Sequence, residues 1–134
     1  MTIAAIQAAL ESRLYGISPA ISTAWQNVEF TPTIGTPWQS VALIMNTPVD
    51  HAINFDVTEQ RGLLQVTLHY PGGVVGTATA LARAQAVATR FAPPQSLVSG
   101  GTTVEILSTA QIGSGRAIDG WWVIPVTVPW RSFS

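Results

Sequence analysis

The chain has neither cysteine nor lysine among its 134 residues. Without cysteine there are no disulfides and no thiolate metal centre. A chain of this length needs no such staple, since folding hides roughly two-thirds of its unfolded surface. Without lysine there is no phosphate-binding loop of the Walker type, which requires a lysine before serine or threonine. The stretch Tyr70-Pro-Gly-Gly-Val-Val-Gly-Thr77 has glycines enough for one, but it reads as a sharp strand-to-helix turn. Charge of either sign is scarce: charged residues make up 10% of the chain, against about 25% in an ordinary domain. The basic residues, Arg13, Arg61, Arg83, Arg90, Arg116 and Arg131, form no run, and the net charge is −1. Direct nucleic-acid binding therefore has no electrostatic footprint. No stretch approaches the roughly 18–20 apolar residues of a membrane span. Met1 to Leu14 is apolar, but it lacks a basic start and is interrupted by Glu11 and Arg13, so it does not read as a secretion signal. The chain is expected to be made in the cytosol, with no membrane partner.

Apolar residues, at 47%, are abundant. A free monomer generally needs a more charged surface than this to stay soluble, so partners are expected to cover part of it. The length suits a single domain, residues 1–134.

Hydrophobic periodicity predicts the elements. Thr2 can cap a first helix whose stripe is Ile3, Ile6, Leu10 and Leu14, ending at Gly16 with Pro19 beyond. Trp25 to Phe30 reads as a strand and Thr31 to Pro37 as a loop. Trp38 to Met45 reads as a strand with apolar residues on both faces. Asn46 to Gln60 lacks periodicity and reads as a long mobile loop. Leu63 to Tyr70 alternates, with Leu64, Val66, Leu68 and Tyr70 on one face. A second helix is expected from about Gly76 to Phe91, with Leu81, Ala84, Ala88 and Phe91 inward, closed by Pro93-Pro94. Thr102 to Thr109 is a strand and Gln111 to Gly120 a loop. In the last strand, Gly120 to Arg131, the residues Trp122, Ile124, Val126, Val128 and Trp130 line one apolar face. Pro125 and Pro129 share the other parity, which predicts an unpaired sheet edge. The order α-β-β-β-α-β-β describes an α+β fold: a mixed, mostly antiparallel sheet with two helices packed on it.

No constellation for catalysis, cofactor or metal emerges. His51 lies near Asp50 and Asp56, but no second histidine completes a site, and His69 belongs to another element. Ser114 sits in a glycine-rich loop without the Gly-x-Ser-x-Gly elbow of hydrolases. The tryptophans divide: Trp122 and Trp130 follow the apolar face, and Trp121 points the other way, as an interface anchor would. Trp25 and Trp38 are open between core and interface. Trp25, Trp38 and Trp121 together leave a small-ligand or carbohydrate-binding domain as an alternative from another class.

Four segments, Trp25-Gln-Asn-Val-Glu-Phe30, Arg61-Gly-Leu-Leu-Gln-Val-Thr-Leu-His-Tyr-Pro-Gly-Gly73, the alanine-rich helix to Phe91, and Gly120-Trp-Trp-Val-Ile-Pro-Val-Thr-Val-Pro-Trp-Arg131, resemble in order and spacing the phage tail terminator-like proteins. These are also called tail completion or minor tail proteins. The resemblance implies a structural, non-enzymatic protein of the virion tail, assembled in the host cytoplasm. It implies a ring, usually of six subunits, that caps the tail tube, stops its growth and offers a surface to the head connector. The partners would be the chain itself, which can be monomeric when free, the tube protein and the connector protein. A head-closure or neck protein is the alternative with the same ring geometry. A ring joins two different patches on each copy. One is expected on the Arg83/Arg90 face of the second helix and the other on Asp50, Asp56 or Glu59, with Trp121 a further residue of the subunit interface. Contacts with tube and connector are expected from the loops bearing His51, Asn54, Arg116 and Asp119.

Overall fold

The computed structural model describes residues 3–17, 21–50, 58–72 and 77–133, with the side chain of Asp50 also outside the description. Helix α1 spans Ile3–Tyr15 and buries Ile6, Ala9, Leu10 and Leu14. Ile3, expected on the inner stripe, is exposed, and Ala9 beside Leu10 completes the buried face. Strand β1 is Ser22–Ala24. The predicted strand over Trp25 to Phe30 is not formed. Its β-forming residues are spent on a turn in which the Val28 N–H donates to the Trp25 carbonyl (3.1 Å), and Asn27 takes a φ of 60°, a left-handed value that asparagine tolerates.

Strand β2 occupies Trp38–Met45, as expected, but its burial is uneven: Gln39 and Val41 point inward while Ile44 and Met45 are exposed. The predicted loop from Asn46 to Gln60 is partly strand. The short β3, Val49–Asp50, pairs with the start of β4, Thr58–Pro71, at Val49↔Glu59 and Asp50↔Thr58. Within β4, Leu64, Val66, Leu68 and Tyr70 are all buried. Helix α2, Thr77–Arg90, buries Ala80, Arg83, Ala84, Val87 and Ala88, and Phe91 follows them into the core. Leu81, expected inward, is 47% exposed. The face centred on Ala84 runs through 80, 87, 88 and 91, and its small side chains let the helix lie close to the sheet.

The stretch after Pro93-Pro94 forms a hairpin whose first strand was not expected: β5, Gln95–Ser99, and β6, Thr102–Ile106. They are joined by Gly100 and Gly101 at φ 55° and 79°, the signs a two-residue type I′ turn demands. The predicted loop from Gln111 to Gly120 holds β7, Gln111–Ile112, and β8, Arg116–Ile118. A second such turn, Asp119-Gly120 at φ 48° and 82°, leads into β9, Trp121–Phe133.

These strands make one sheet in the order β1-β2-β4-β9-β6-β5, with β3 added to β4 and β7 and β8 added to β9. Only the β1–β2 pair is parallel among the described strands. The α+β class, with two helices on a mixed, mostly antiparallel sheet, is therefore as the sequence implies. The edge predicted for the last strand is not: β9 is central. It pairs with β4 from Trp121 to Phe133 and, on its other side, with β6, β7 and β8 in turn. The Pro125 carbonyl accepts from the Gly113 N–H (2.8 Å) on that other side. In an antiparallel strand a residue's N–H and C=O point the same way, so both missing proline donors face it too. The prolines thus mark where three short strands replace one long partner.

Both helices cover one face of the sheet. The core joins Ile6, Leu10 and Leu14 of α1 and Ala84, Val87 and Phe91 to Leu64, Val66 and Leu68 of β4, Val104 and Ile106 of β6, and Ile124, Val126 and Val128 of β9. Trp25 and Trp122 pack against its margin.

Candidate assembly interface

Side chains alternate across a strand, so the register that buries Leu68 and Ile124 turns Trp38, His69 and Trp121 to the face without helices. Trp38 and His69 are register partners. Their rings stack at 3.7 Å between centroids and 5° between planes. Trp121 meets Trp38 edge-on at 6.1 Å, and Phe30 leans on Trp38 at 5.2 Å. Burial holds the His69 imidazole below its ordinary pKa, partly offset by the nearby Thr67 and Trp38 carbonyls. At neutral pH the stack is therefore neutral and apolar. Trp38 is stacked on His69 and meets Trp121 at a right angle, so the rings pack on one another as a ridge.

Beside this ridge, at the same end of the sheet, is the β8–β9 hairpin. Arg116 and Asp119 are both exposed on it, and the Gly72 N–H donates to the Gly120 carbonyl (2.8 Å), tying the tip to the end of β4. Gly115 lies flat on the Trp122 indole, where a Cβ would collide with the ring. At the opposite end of β4 and β9, a shallow hollow of about 310 Å³ is lined by Asn46, Glu59, Arg61, Glu105, Trp130 and Arg131. Arg131 and Glu105 pair there at 3.5 Å.

The residues expected at a subunit contact are thus dispersed. Trp121 does project from the open face. Glu59 is half-buried at the hollow. His51, Asn54 and Asp56, with the side chain of Asp50, lie outside the described residues. Arg83 does not share an outer face with Arg90: it is 7% exposed, beside Tyr70, where burial lowers its pKa and raises that of the Tyr70 phenol. Seven residues make slightly less than two full turns, and the inward face of α2 takes Arg83.

Arg90 instead meets a residue that sequence reasoning passed over. The Arg90 Nε donates to the Arg13 carbonyl (2.8 Å), and the Arg13 Nε donates to the Arg90 carbonyl (3.0 Å). Each arginine satisfies an orphan carbonyl in the last turn of the other's helix, where a cation is also favoured by the helix dipole. Gly16 makes room for this, since a Cβ there would collide with the Arg90 guanidinium. Gln95 Nε2 adds a bond to the Arg90 carbonyl (2.9 Å). Basic residues in both final helical turns were the available signal, but their pairing needs the tertiary fold. Phe30, Trp38 and His69 are likewise separated in sequence: the β2–β4 register joins Trp38 to His69, and the loop before β2 folds Phe30 back onto Trp38. Among the described residues no three acidic or histidine side chains gather as a metal site would require.

Comparison with known proteins agrees with this architecture. The search of curated proteins gave no significant match. A solved structure 25% identical in sequence covers 98% of this chain and 96% of its own, and superposes with a TM-score of 0.80. The family profile described as phage tail terminator protein matches residues 5–130, from α1 through the ninth strand. The chain belongs to the phage tail terminator family, and is a structural component of the phage tail.

Proposed function

We propose that this chain is the subunit of a ring, six-membered as the family resemblance implies, that caps the tail tube, stops its polymerisation and presents the joining surface to the head connector. The match to terminators over residues 5–130 carries the reading. The rest of the molecule supports it. Residues 1–134 act as one domain whose helices share one core with the sheet, while the opposite face keeps a ridge of large rings beside the exposed Arg116 and Asp119. Such a surface gains most from being covered by protein.

The two ends of the long β4–β9 ladder suit axial contacts with tube and connector. One carries Arg116 and Asp119 on a tight hairpin; the other leads into the segment with His51 and Asn54. Lateral contacts between copies then use the flanks of the sheet, and Trp121 adds its ring on the open face at the hairpin end of β9. Free subunits are monomeric or weakly associated, and the tube end gathers them. Electron microscopy of purified tail tubes mixed with the protein tests this: a ring-shaped cap at one end of each tube is expected. Bare ends at saturating protein would refute it.

A further inference from the structure

The reciprocal arginine pair clasps the two helix ends with donors to spare. Each guanidinium spends its Nε on the other helix's carbonyl, which fixes both planes and leaves the Nη groups as donors. The two cations are close enough that Arg90 lowers the pKa of Arg13, in addition to the effect of burial. Neither arginine has a carboxylate partner among the described residues. They border an open depression between α1 and α2, floored by Gly16, Ala82, Ala86 and Thr89. Two like charges held side by side favour an anion, and a guanidinium fork favours a carboxylate.

The chain carries a matching group. Glu11 accepts from Gln7 (3.0 Å), Glu105 is paired with Arg131, and Glu59 is engaged within the fold. Asp119 belongs to the hairpin at the strand ends. Glu29 is exposed, with no partner among the described residues. Its loop is held by a bond from the Leu43 N–H to the Gln26 Oε1 (2.8 Å). That loop joins β1 and β2, whereas the arginine pair sits where the last turns of α1 and α2 meet, with Gln95 of β5 bonded to the Arg90 carbonyl. Two complementary patches on different elements can make a heterologous contact, the kind that closes a ring.

We propose that the Arg13–Arg90 pair is a carboxylate cradle that receives Glu29 of a second copy of this chain. This rests on the ring reading and assigns its lateral contact. The test is the protein concentration that half-caps purified tail tubes, counted by electron microscopy for wild type, Glu29→Gln, Glu29→Arg and Asp50→Asn/Asp56→Asn, each first shown to be folded by circular dichroism. Glu29→Gln is expected to raise that concentration about tenfold and Glu29→Arg further. Raising NaCl from 50 to 300 mM should weaken wild type more than Glu29→Gln. Because Glu29 is in an exposed loop, its substitution tests the contact without disturbing the helix clasp. If Glu29→Gln caps tubes as wild type does, or if only the Asp50/Asp56 variant fails, the cradle is overturned while the ring stands. If wild type leaves tube ends bare, the ring reading itself fails.

Discussion

Replacing His69 with phenylalanine should keep the stack under Trp38 while removing its only titratable member. Burial lowers the imidazole pKa in the folded protein, whereas the unfolded chain titrates near 6.5. Above about pH 6.5 both states are neutral and the stack contributes fully. As pH falls through that value the unfolded chain takes up a proton first, so stability drops until the folded pKa is passed. A fully felt shift costs about 1.4 kcal/mol per pH unit within that window. The two states differ by at most one proton at this site, so that slope is a ceiling, and the size of the shift sets only how wide the window is. With an unfolding entropy of about 2.1 cal/mol/K per residue, the ceiling is a fall of about 5 °C in Tm per unit. Thermal melts of wild type and His69→Phe between pH 7.5 and 5.5 measure it. The contribution of His51 cancels in the difference. The wild-type curve should fall relative to the variant as pH is lowered. Parallel curves, or an NMR-determined His69 pKa above 6.5, would refute the reasoning.

Three further substitutions probe the frame. Leu64, fully buried where β2, β4 and β9 pair, should cost about 3 kcal/mol when cut to alanine, read from urea unfolding. Gly120→Ala places a Cβ at a φ of 82° and should cost ~1–2 kcal/mol, with loss of amide-exchange protection along β8. Gly16→Ala should displace the Arg90 guanidinium, break its bond to the Arg13 carbonyl and lower stability by about 1 kcal/mol. An unchanged melting temperature in Gly16→Ala would show that the helices do not depend on the clasp.

Much of the frame was legible because local pattern and tertiary role coincide in it. The alternating half of β4 and the face from Trp122 to Trp130 follow from period-two burial, and β2 from its short run of strand-forming residues apolar on both parities. Failures occurred where one local signal had two tertiary meanings. Prolines at 125 and 129 do remove donors from one side of β9, but a broken row of partners accommodates that loss as well as an open edge does. The apolar run from Trp25 to Phe30 serves a turn, because Asn27 can adopt the left-handed backbone. β5 has no clear period, and its Gly100-Gly101 turn signal was overlooked, as was Asp119-Gly120. For the candidate interface, the sequence exposed Trp121 but not its ring neighbours. It linked Arg90 to Arg83 by helical spacing, when the physical link is to Arg13, 77 residues away.

The central place of β9 bears on how the molecule comes together. On one side of it lie β1, β2 and β4, on the other β5 and β6, and among the described strands these two groups are joined within the sheet only through residues 121–133. While that segment is unavailable during synthesis, the chain holds two separate ladders. Each shows unpaired backbone of the kind that other strands can capture. When β9 enters, it closes contacts of long sequence separation on both sides at once, so folding should be slow for this size and concentrated in one late step. The flanks of the sheet, which the ring proposed above would use, therefore do not exist as one surface until the middle strand is in place.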